Sequence, residues 1–117
     1  MEIRNPVAEE IVDLTNLISA AFGYQKGEAG AARDFPQLYH SNNSKHLWGA
    51  WQGKALAAHA GFYPTLMKVE GLALPVAGIG GVFTAEDQQG KGLATSLINK
   101  CAEEARKEGA ALAFLWS

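Results

Sequence analysis

The chain has 117 residues, 48% of them hydrophobic and 19% charged, a composition typical of a single soluble globular domain spanning residues 1–117. Ten basic and twelve acidic side chains give a net charge of −2 without any Lys- or Arg-rich stretch, which excludes an extended basic surface for nucleic acid or a membrane. Cys101 is the single cysteine, which excludes an internal disulfide, and no export signal or apolar run of about 18 residues is present, so we expect a cytoplasmic protein.

The first 23 residues predict a short strand followed by a helix. Residues 1–4 can form the strand, after which Asn5 and Pro6 suit the N-cap and the first helical position. Gly23 suits the end of the helix. The apolar face of this first helix is predicted from residues that recur at helical spacing, namely Ile11, Leu14, Leu17, Ile18, Ala21 and Phe22.

A second helix and two strands are predicted next. Residues 31–40 can form a short helix that is broken or bent at Pro36. Its apolar face would consist of Phe35, Leu38 and Tyr39. Residues 46–51 and 55–69 then alternate as strands, and the turn at 52–53 predicts that they form a hairpin.

A long third strand, a helix and a last strand complete the predicted order. Residues 72–84 read as a strand interrupted by Pro75, and Gly78, Gly80 and Gly81 within it indicate a bulge or the approach of a ligand. The following helix would end at Gly109. Its inward face is predicted to contain Leu93, Leu97, Ile98, Cys101, Ala102 and Ala105. Residues 110–116 form an apolar strand typical of a sheet covered on both faces, so the order is β-α-α-β-β-β-α-β with a parallel crossover at the end.

The turn between the third strand and this helix has the composition of an anion-binding site. Gly90 and Gly92 let the backbone approach a ligand, and the first amides of the helix have no intrahelical acceptor. A P-loop would need Gly at Ala85 and Ser or Thr at Gly92, and a dinucleotide-binding fingerprint would need Gly at Thr95. Both of those phosphate-binding patterns are therefore excluded.

A third pattern does fit. Gln89-x-x-Gly92-x-Ala94, preceded by the strand residues 82–84, resembles the Arg/Gln-x-x-Gly-x-Gly/Ala signature of the GNAT N-acetyltransferase superfamily. The run over residues 77–82 and the order of elements resemble its aminoglycoside and enhanced-intracellular-survival-like branch. The resemblance implies a mixed α/β acyltransferase fold, acetyl-CoA as cosubstrate, no metal, and direct acetyl transfer to a primary amine of a small molecule or protein.

The same resemblance implies which residues hold the cofactor. The strand would present backbone groups to the pantetheine arm and thioester, and an amide near Val82 would polarise the thioester carbonyl. The residues implied along the pantetheine are Val82, Phe83 and Thr84. Those implied around the pyrophosphate are Gln89, Gly90, Lys91, Gly92, Leu93 and Ala94. Gln89 stands where the family most often has Arg, which removes a positive charge from the phosphate site.

The sequence assigns no catalytic acid or base. His59 could act as a base, but a hydrogen-bonded structural histidine is the favoured interpretation. Glu86 and Asp87 are better explained as solvated charges near a helix start, and Cys101 as a buried thiol. His40 and His46 have no neighbouring ligands at a zinc-binding spacing. Aromatic residues that could shape an acceptor pocket, but more often belong to a core, are Trp48, Trp51, Phe62, Tyr63 and Trp116.

Two further interpretations stay open beside the enzyme. Members of the resembled family usually continue through another helix and one or two strands, so we expect a truncated domain or one completed by a second copy as a homodimer. A truncated fragment would serve as a non-catalytic acyl-CoA-binding module. A protein that binds ATP phosphates in the same turn is the weaker alternative, and magnesium dependence of binding would identify it.

Overall fold

The structure, a computed structural model, describes residues 1–23 and 30–115. Two 3₁₀ segments, Ser41–His46 and Glu86–Gln88, accompany the helices and strands of this part of the chain. The helices are α1 (Glu10–Ala21), α2 (Ala31–Asp34), α3 (Pro36–Tyr39) and α4 (Leu93–Lys107). The strands are β1 (Glu2–Arg4), β2 (Leu47–Gln52), β3 (Ala55–Val69), β4 (Leu72–Thr84) and β5 (Leu112–Leu115).

The strands form one sheet in the order β1-β2-β3-β4-β5. Neighbouring strands are antiparallel except for β4 and β5, which run parallel because α4 connects them. The turn between β3 and β4 is formed by Glu70 and Gly71, both with positive φ, as a tight hairpin requires. This mixed sheet with helices confirms the predicted α/β fold.

Helices pack against both faces of the sheet. On one face α4 packs against β2, β3 and β4, and the other face packs against the helices that precede β2. The core under α4 contains Ala50, Ala58, Ala60, Phe62, Ala77, Ile79, Leu97, Cys101 and Ala105. The core on the opposite face contains Leu14, Ile18, Ala31, Leu38, Tyr39, Leu47, Trp51 and Leu56.

A β-bulge interrupts the pairing of β3 with β4, as the glycines in β4 predicted. The register shifts between His59 and Gly61, and Gly81 has a φ of 64° in this segment. Because of the extra residue, Ile79 and Val82 both contact the core under α4, although they are three positions apart and would lie on opposite faces of a regular strand. Pro75 does not interrupt β4: it lies opposite Leu66 of β3, and its carbonyl accepts a hydrogen bond from the amide of Ala111.

The predicted start of α1 is wrong by several residues. The helix begins at Glu10, because the side-chain amide of Asn5 donates to the carbonyls of Lys45 and Leu47 instead of capping a helix. On α1, Ile11 and Leu14 are buried with Ile18 as predicted. The other members of the predicted apolar face, Leu17, Ala21 and Phe22, are exposed.

Other predicted bounds differ by smaller amounts. The helix predicted over residues 31–40 is broken at Pro36 as predicted, so it forms two short helices with Pro36 at the first position of α3. The first hairpin strand begins at Leu47, since His46 belongs to the preceding 3₁₀ segment. β3 and β4 have the predicted extents, and α4 ends at Lys107, just before the predicted stop at Gly109. Trp116, which was predicted to end the last strand, lies outside the described residues.

β5 is exposed along its whole length, although its apolar sequence is typical of a strand covered on both faces. It pairs with β4 from Val76 to Ile79 only. All four of its residues have exposed side chains, including Leu112, Phe114 and Leu115. No described element packs over the outer edge of this strand.

Candidate functional site

A cleft of about 410 Å³ lies where the end of β4 meets the start of α4. Its wall combines strand backbone, the turn after the second 3₁₀ segment, and the first turn of the helix. The lining residues are Val82, Phe83, Thr84, Gln88, Gln89, Gly90, Gly92, Leu93, Ala94 and Thr95. Eight of the nine residues predicted to hold the cofactor thus line one cavity.

The glycine turn places backbone amides along this cleft. Gly90 and Gly92 have φ values of 82° and 74°, a left-handed conformation that other residues rarely adopt. A Cβ at either position would meet no atom within 4 Å, so the surface above both glycines is open. The turn therefore exposes its backbone to anything that occupies the cleft.

The start of α4 has no cap of its own among the described residues. Gly92 is the N-cap and offers no side chain, and the first intrahelical bond joins the amide of Ser96 to the carbonyl of Gly92. The amides of the three preceding residues, Leu93, Ala94 and Thr95, have no acceptor within the helix. No acidic residue lies in this first turn. The positive end of the helix dipole consequently faces the cleft, which favours an anion there.

Lys91 is the predicted cofactor residue that does not line the cleft. Its ammonium group donates to Oε1 of Gln88 at 2.8 Å. The same contact holds the nearly buried side chain of Gln88 in the wall. Lys91 thus places a positive charge against a side chain that lines the cleft.

The strand side of the cleft offers unpaired backbone. β3 pairs with one edge of β4 as far as Thr84, whereas described β5 residues pair with the other edge only as far as Ile79. The segment from Val82 to Thr84 therefore has a free edge on the side of β5 in the part of the chain that the structure describes. Such an edge can bind an extended amide-containing chain through main-chain hydrogen bonds.

His59 lies behind the bulge and not in the cleft. Its side chain is completely buried, on the face of the sheet that also carries Tyr39 and Leu38. Nδ1 lies 2.8 Å from the carbonyl oxygen of Gly81, so the imidazole donates this hydrogen bond. Burial lowers the pKa of His59 to about 4. The favoured interpretation, a hydrogen-bonded structural histidine, is confirmed.

Most of the aromatic residues considered for an acceptor pocket belong to the cores. Phe62 is buried under α4, and Trp51 is buried on the opposite face with the guanidinium of Arg4 4.3 Å from its ring centre. Trp48 is half-buried, and Nζ of Lys100 lies 4.8 Å from its ring centre. Tyr63 packs at the edge of the core that includes Trp51.

The remaining titratable candidates take structural positions. Burial raises the pKa of the Cys101 thiol to about 12, which makes it an inert core residue. His46 is buried between the side-chain oxygen of Asn43, at 2.6 Å, and the carboxylate of Glu108, at 2.8 Å. This contact joins the 3₁₀ segment to the end of α4. Glu86 and Asp87 are exposed at the turn after β4, as predicted.

Two lining residues were missed by the sequence analysis. Gln88 precedes the recognised signature, and its orientation depends on the bond from Lys91. Thr95 lies in the first turn of α4, one residue beyond the signature. Its position could have been predicted, because the third residue of a helix also has an unpaired amide.

The lining residues contain no ionisable side chain. The cleft can therefore bind through backbone amides, side-chain amides and hydroxyl groups, with apolar contacts from Val82, Phe83 and Leu93. In the described residues, no group of three or more His, Cys, Asp or Glu side chains is arranged to hold a metal ion. None of the described helices is long and apolar enough to cross a membrane.

Comparisons with known proteins agree on the type of domain. A family model described as an acetyltransferase (GNAT) domain matches residues 2–117. No curated protein is a significant match. Among solved structures, a GCN5-related N-acetyltransferase from Kribbella flavida is 22% identical with a TM-score of 0.79. The match covers 96% of this chain and 28% of that protein.

Two other solved structures illustrate the range of lengths. A predicted acetyltransferase with acetyl-CoA from Clostridium acetobutylicum is 16% identical with a TM-score of 0.79. The match covers 99% of this chain and 80% of that protein. Eis1 from Mycobacterium abscessus is 20% identical with a TM-score of 0.75. The match covers 97% of this chain and 28% of that protein. The chain thus spans under a third of some similar proteins and about four fifths of others.

Proposed function

The chain belongs to the acetyltransferase (GNAT) domain family, and from this membership we propose that it transfers an acetyl group from acetyl-CoA to a primary amine. Within the family we propose the aminoglycoside and enhanced-intracellular-survival-like branch, to which the run over residues 77–82 is similar. The acceptor is a small molecule or a protein, and the working location is the cytoplasm.

One observation carries the proposal: a single cleft joins an open anion-binding helix start to a free strand edge. CoA has the matching order of groups, a pyrophosphate followed by a pantetheine arm with two amides. In the proposed complex the pyrophosphate lies at Gly90 and Gly92. The arm extends along residues 82–84, so the thioester reaches the bulge at Gly81.

The reaction in this arrangement is direct transfer. The neutral amine attacks the thioester carbonyl carbon, a C–N bond forms, and the C–S bond of the tetrahedral intermediate breaks. The amine loses one proton and the departing CoA thiolate gains one, so the step is balanced without a metal or a covalent enzyme intermediate. The amide of Val82 is the proposed donor to the oxyanion, a role worth about 2.7–4 kcal/mol in other enzymes.

A non-catalytic acyl-CoA-binding module is the second candidate. It is favoured by the absence of ionisable side chains from the cleft lining within the described residues. Proton transfer from an ammonium group with a pKa of about 10.4 normally needs a base or an ordered water. A binding module would retain the affinity for CoA and would not turn over acetyl-CoA with any amine.

Calorimetric titration tests both candidates. The chain is titrated with acetyl-CoA, with CoA and with magnesium ATP, and then as the Gly92→Glu variant. We expect micromolar binding of the two CoA compounds. Gly92→Glu should weaken it tenfold or more, since a carboxylate then occupies the positive end of α4.

Gly71→Glu is the matched control for this variant. Gly71 has a φ of 82°, close to the 74° of Gly92, and a Cβ there would also meet nothing within 4 Å. It lies at the far end of the β3–β4 hairpin, so affinity should change less than about twofold. Equal loss in both variants, or binding of magnesium ATP in preference to CoA, would contradict the proposal. CoA binding without transfer to amines would select the binding module.

A further inference from the structure

We propose that His59 is a positioning residue for the thioester: it fixes the Gly81–Val82 peptide so that the Val82 amide points to the thioester carbonyl. This inference rests on the proposed function, because it concerns the carbonyl of bound acetyl-CoA. It assigns a task to a buried side chain that contacts neither cofactor nor acceptor.

The first step of the argument is the hydrogen bond itself. His59 Nδ1 donates to the Gly81 carbonyl across 22 positions of sequence, at 2.8 Å and without solvent contact. In the regular part of a ladder a strand carbonyl is bound by the backbone of the neighbouring strand. At this bulge a side chain provides the donor, so the direction of the Gly81 carbonyl depends on residue 59.

The second step is the planarity of the peptide bond. The carbonyl of Gly81 and the N–H of Val82 belong to one trans peptide unit, in which they point in opposite directions. His59 lies on the face of the sheet beside Tyr39, and the carbonyl is directed toward it. The Val82 N–H is therefore directed away from that layer, toward the side on which Val82 lines the cleft.

The third step is that packing leaves the backbone at Gly81 little room to move. A Cβ at Gly81 would lie 2.6 Å from the hydroxyl oxygen of Tyr39 and 3.3 Å from Cε1 of His59. The bulge is thus packed against His59 and Tyr39 on one side. His59 remains neutral near pH 7, so the ring keeps one proton to donate from Nδ1. The arrangement is suited to an amide that must be in place before the substrate arrives.

Three variants separate this role from general support of the fold. In His59→Asn, Nδ2 takes the place of the imidazole Nδ1 and can donate to the same carbonyl. His59→Gln is equally polar but carries its donors one bond further out, and His59→Leu has no donor. If His59→Leu does not fold, the comparison of Asn with Gln carries the test.

The measurement uses acetyl-CoA labelled with ¹³C at the acetyl carbonyl. On binding to the wild-type chain, the carbonyl resonance should shift downfield because a hydrogen bond polarises the carbonyl. We expect the same shift in His59→Asn and its loss in His59→Gln and His59→Leu. Affinity for acetyl-CoA should change less than about threefold in all folded variants, since the pyrophosphate site is untouched.

The possible failures are distinguishable. A wild-type chain that does not bind acetyl-CoA overturns the proposed function, and the role of His59 with it. Wild-type binding with no carbonyl shift, or with an equal shift in every folded variant, overturns the role of His59 and leaves the cofactor site standing. Loss of the shift in His59→Asn as in His59→Leu also overturns it.

Discussion

Gly81 combines two requirements that only glycine meets. Its φ of 64° is in the left-handed region, and a side chain there would collide with Tyr39 at 2.6 Å. Gly53 has a similar φ of 62°, but a Cβ at that position would meet nothing within 4 Å. Comparing the two glycines therefore distinguishes the cost of backbone strain from the cost of a steric contact with Tyr39.

We predict that Gly81→Ala lowers the free energy of unfolding by about 3 kcal/mol, because strain and overpacking add. Gly53→Ala should lower it by about 1 kcal/mol from strain alone. Urea denaturation of both variants measures the difference. A Gly81→Ala variant that is as stable as Gly53→Ala would mean that the bulge relaxes away from Tyr39.

His59 should also make the folded state sensitive to mild acid. Its pKa is about 4 in the folded chain, below the ordinary value of 6.5 expected when unfolded. Since the unfolded chain binds the proton more readily, the stabilisation is complete above pH 6.5 and is lost as the pH falls toward 4. The difference corresponds to about 3 kcal/mol. Urea midpoints across this range should fall steeply for wild type and remain flatter for His59→Asn, and parallel curves would contradict the assignment.

At the scale of elements, Arg4 and Glu10 join β1 to the start of α1. The two nitrogens Nη1 and Nη2 of Arg4 lie 2.8 and 2.9 Å from the carboxylate oxygens of Glu10, which also accepts from the amide of Val7 at 2.9 Å. The Arg4 bonds are the largest cause that lowers the pKa of Glu10 to about 2. This bidentate pair holds the first residue of α1 against β1.

We predict that Glu10→Gln loses about 1 kcal/mol of stability at pH 7, a value kept small by partial solvation of the pair. In the wild-type chain this stabilisation is present above pH 4.5 and disappears as the pH falls toward 2, because the folded pKa is depressed. The variant should lack that acid limb. Glu86→Gln, at an exposed position, is the control, and thermal unfolding between pH 2 and 7 is the measurement. Identical acid limbs in wild type and Glu10→Gln would contradict the assignment.

Elements that form from local signals were predicted correctly, and those held by distant contacts were not. The extents of β4 and α4 follow from turn glycines and apolar spacing that lie within each segment. The 3₁₀ segment Ser41–His46 depends on a bond between His46 and Glu108, 62 positions apart, which no local pattern contains. Asn5 shows the same limit, since its partners Lys45 and Leu47 are about 40 positions away.

In the candidate site, too, the local parts were predicted from the sequence and the long-range contacts were not. Its glycine turn and helix start are consecutive in sequence, so the signature from Gln89 to Ala94 predicted a continuous surface. The position of His59 behind Gly81 arises from strand pairing across 22 positions, and the direction of Lys91 toward Gln88 arises from side-chain contacts. Neither contact has a sequence signal of its own.

At the scale of the whole molecule, the apolar side chains of β5 are the main departure from a covered sheet. Leu115 is 57% exposed, and Leu112 and Phe114 are also exposed on a strand whose outer edge has no described partner. An exposed apolar edge strand is a template for pairing with another chain. The 117-residue chain should therefore self-associate through β5.

We predict that the weight-average mass of the chain, measured by light scattering after gel filtration, rises with concentration, and that Leu115→Lys keeps it near the monomer value. A lysine on an edge strand opposes pairing because its charge would be buried between the chains. Val12→Lys is the control, since Val12 is 65% exposed on α1 and also apolar. The control should associate like wild type. If Leu115→Lys associates as strongly as Val12→Lys, the contact lies elsewhere on the surface, and a wild-type chain that remains monomeric would show that β5 is tolerated as a free edge.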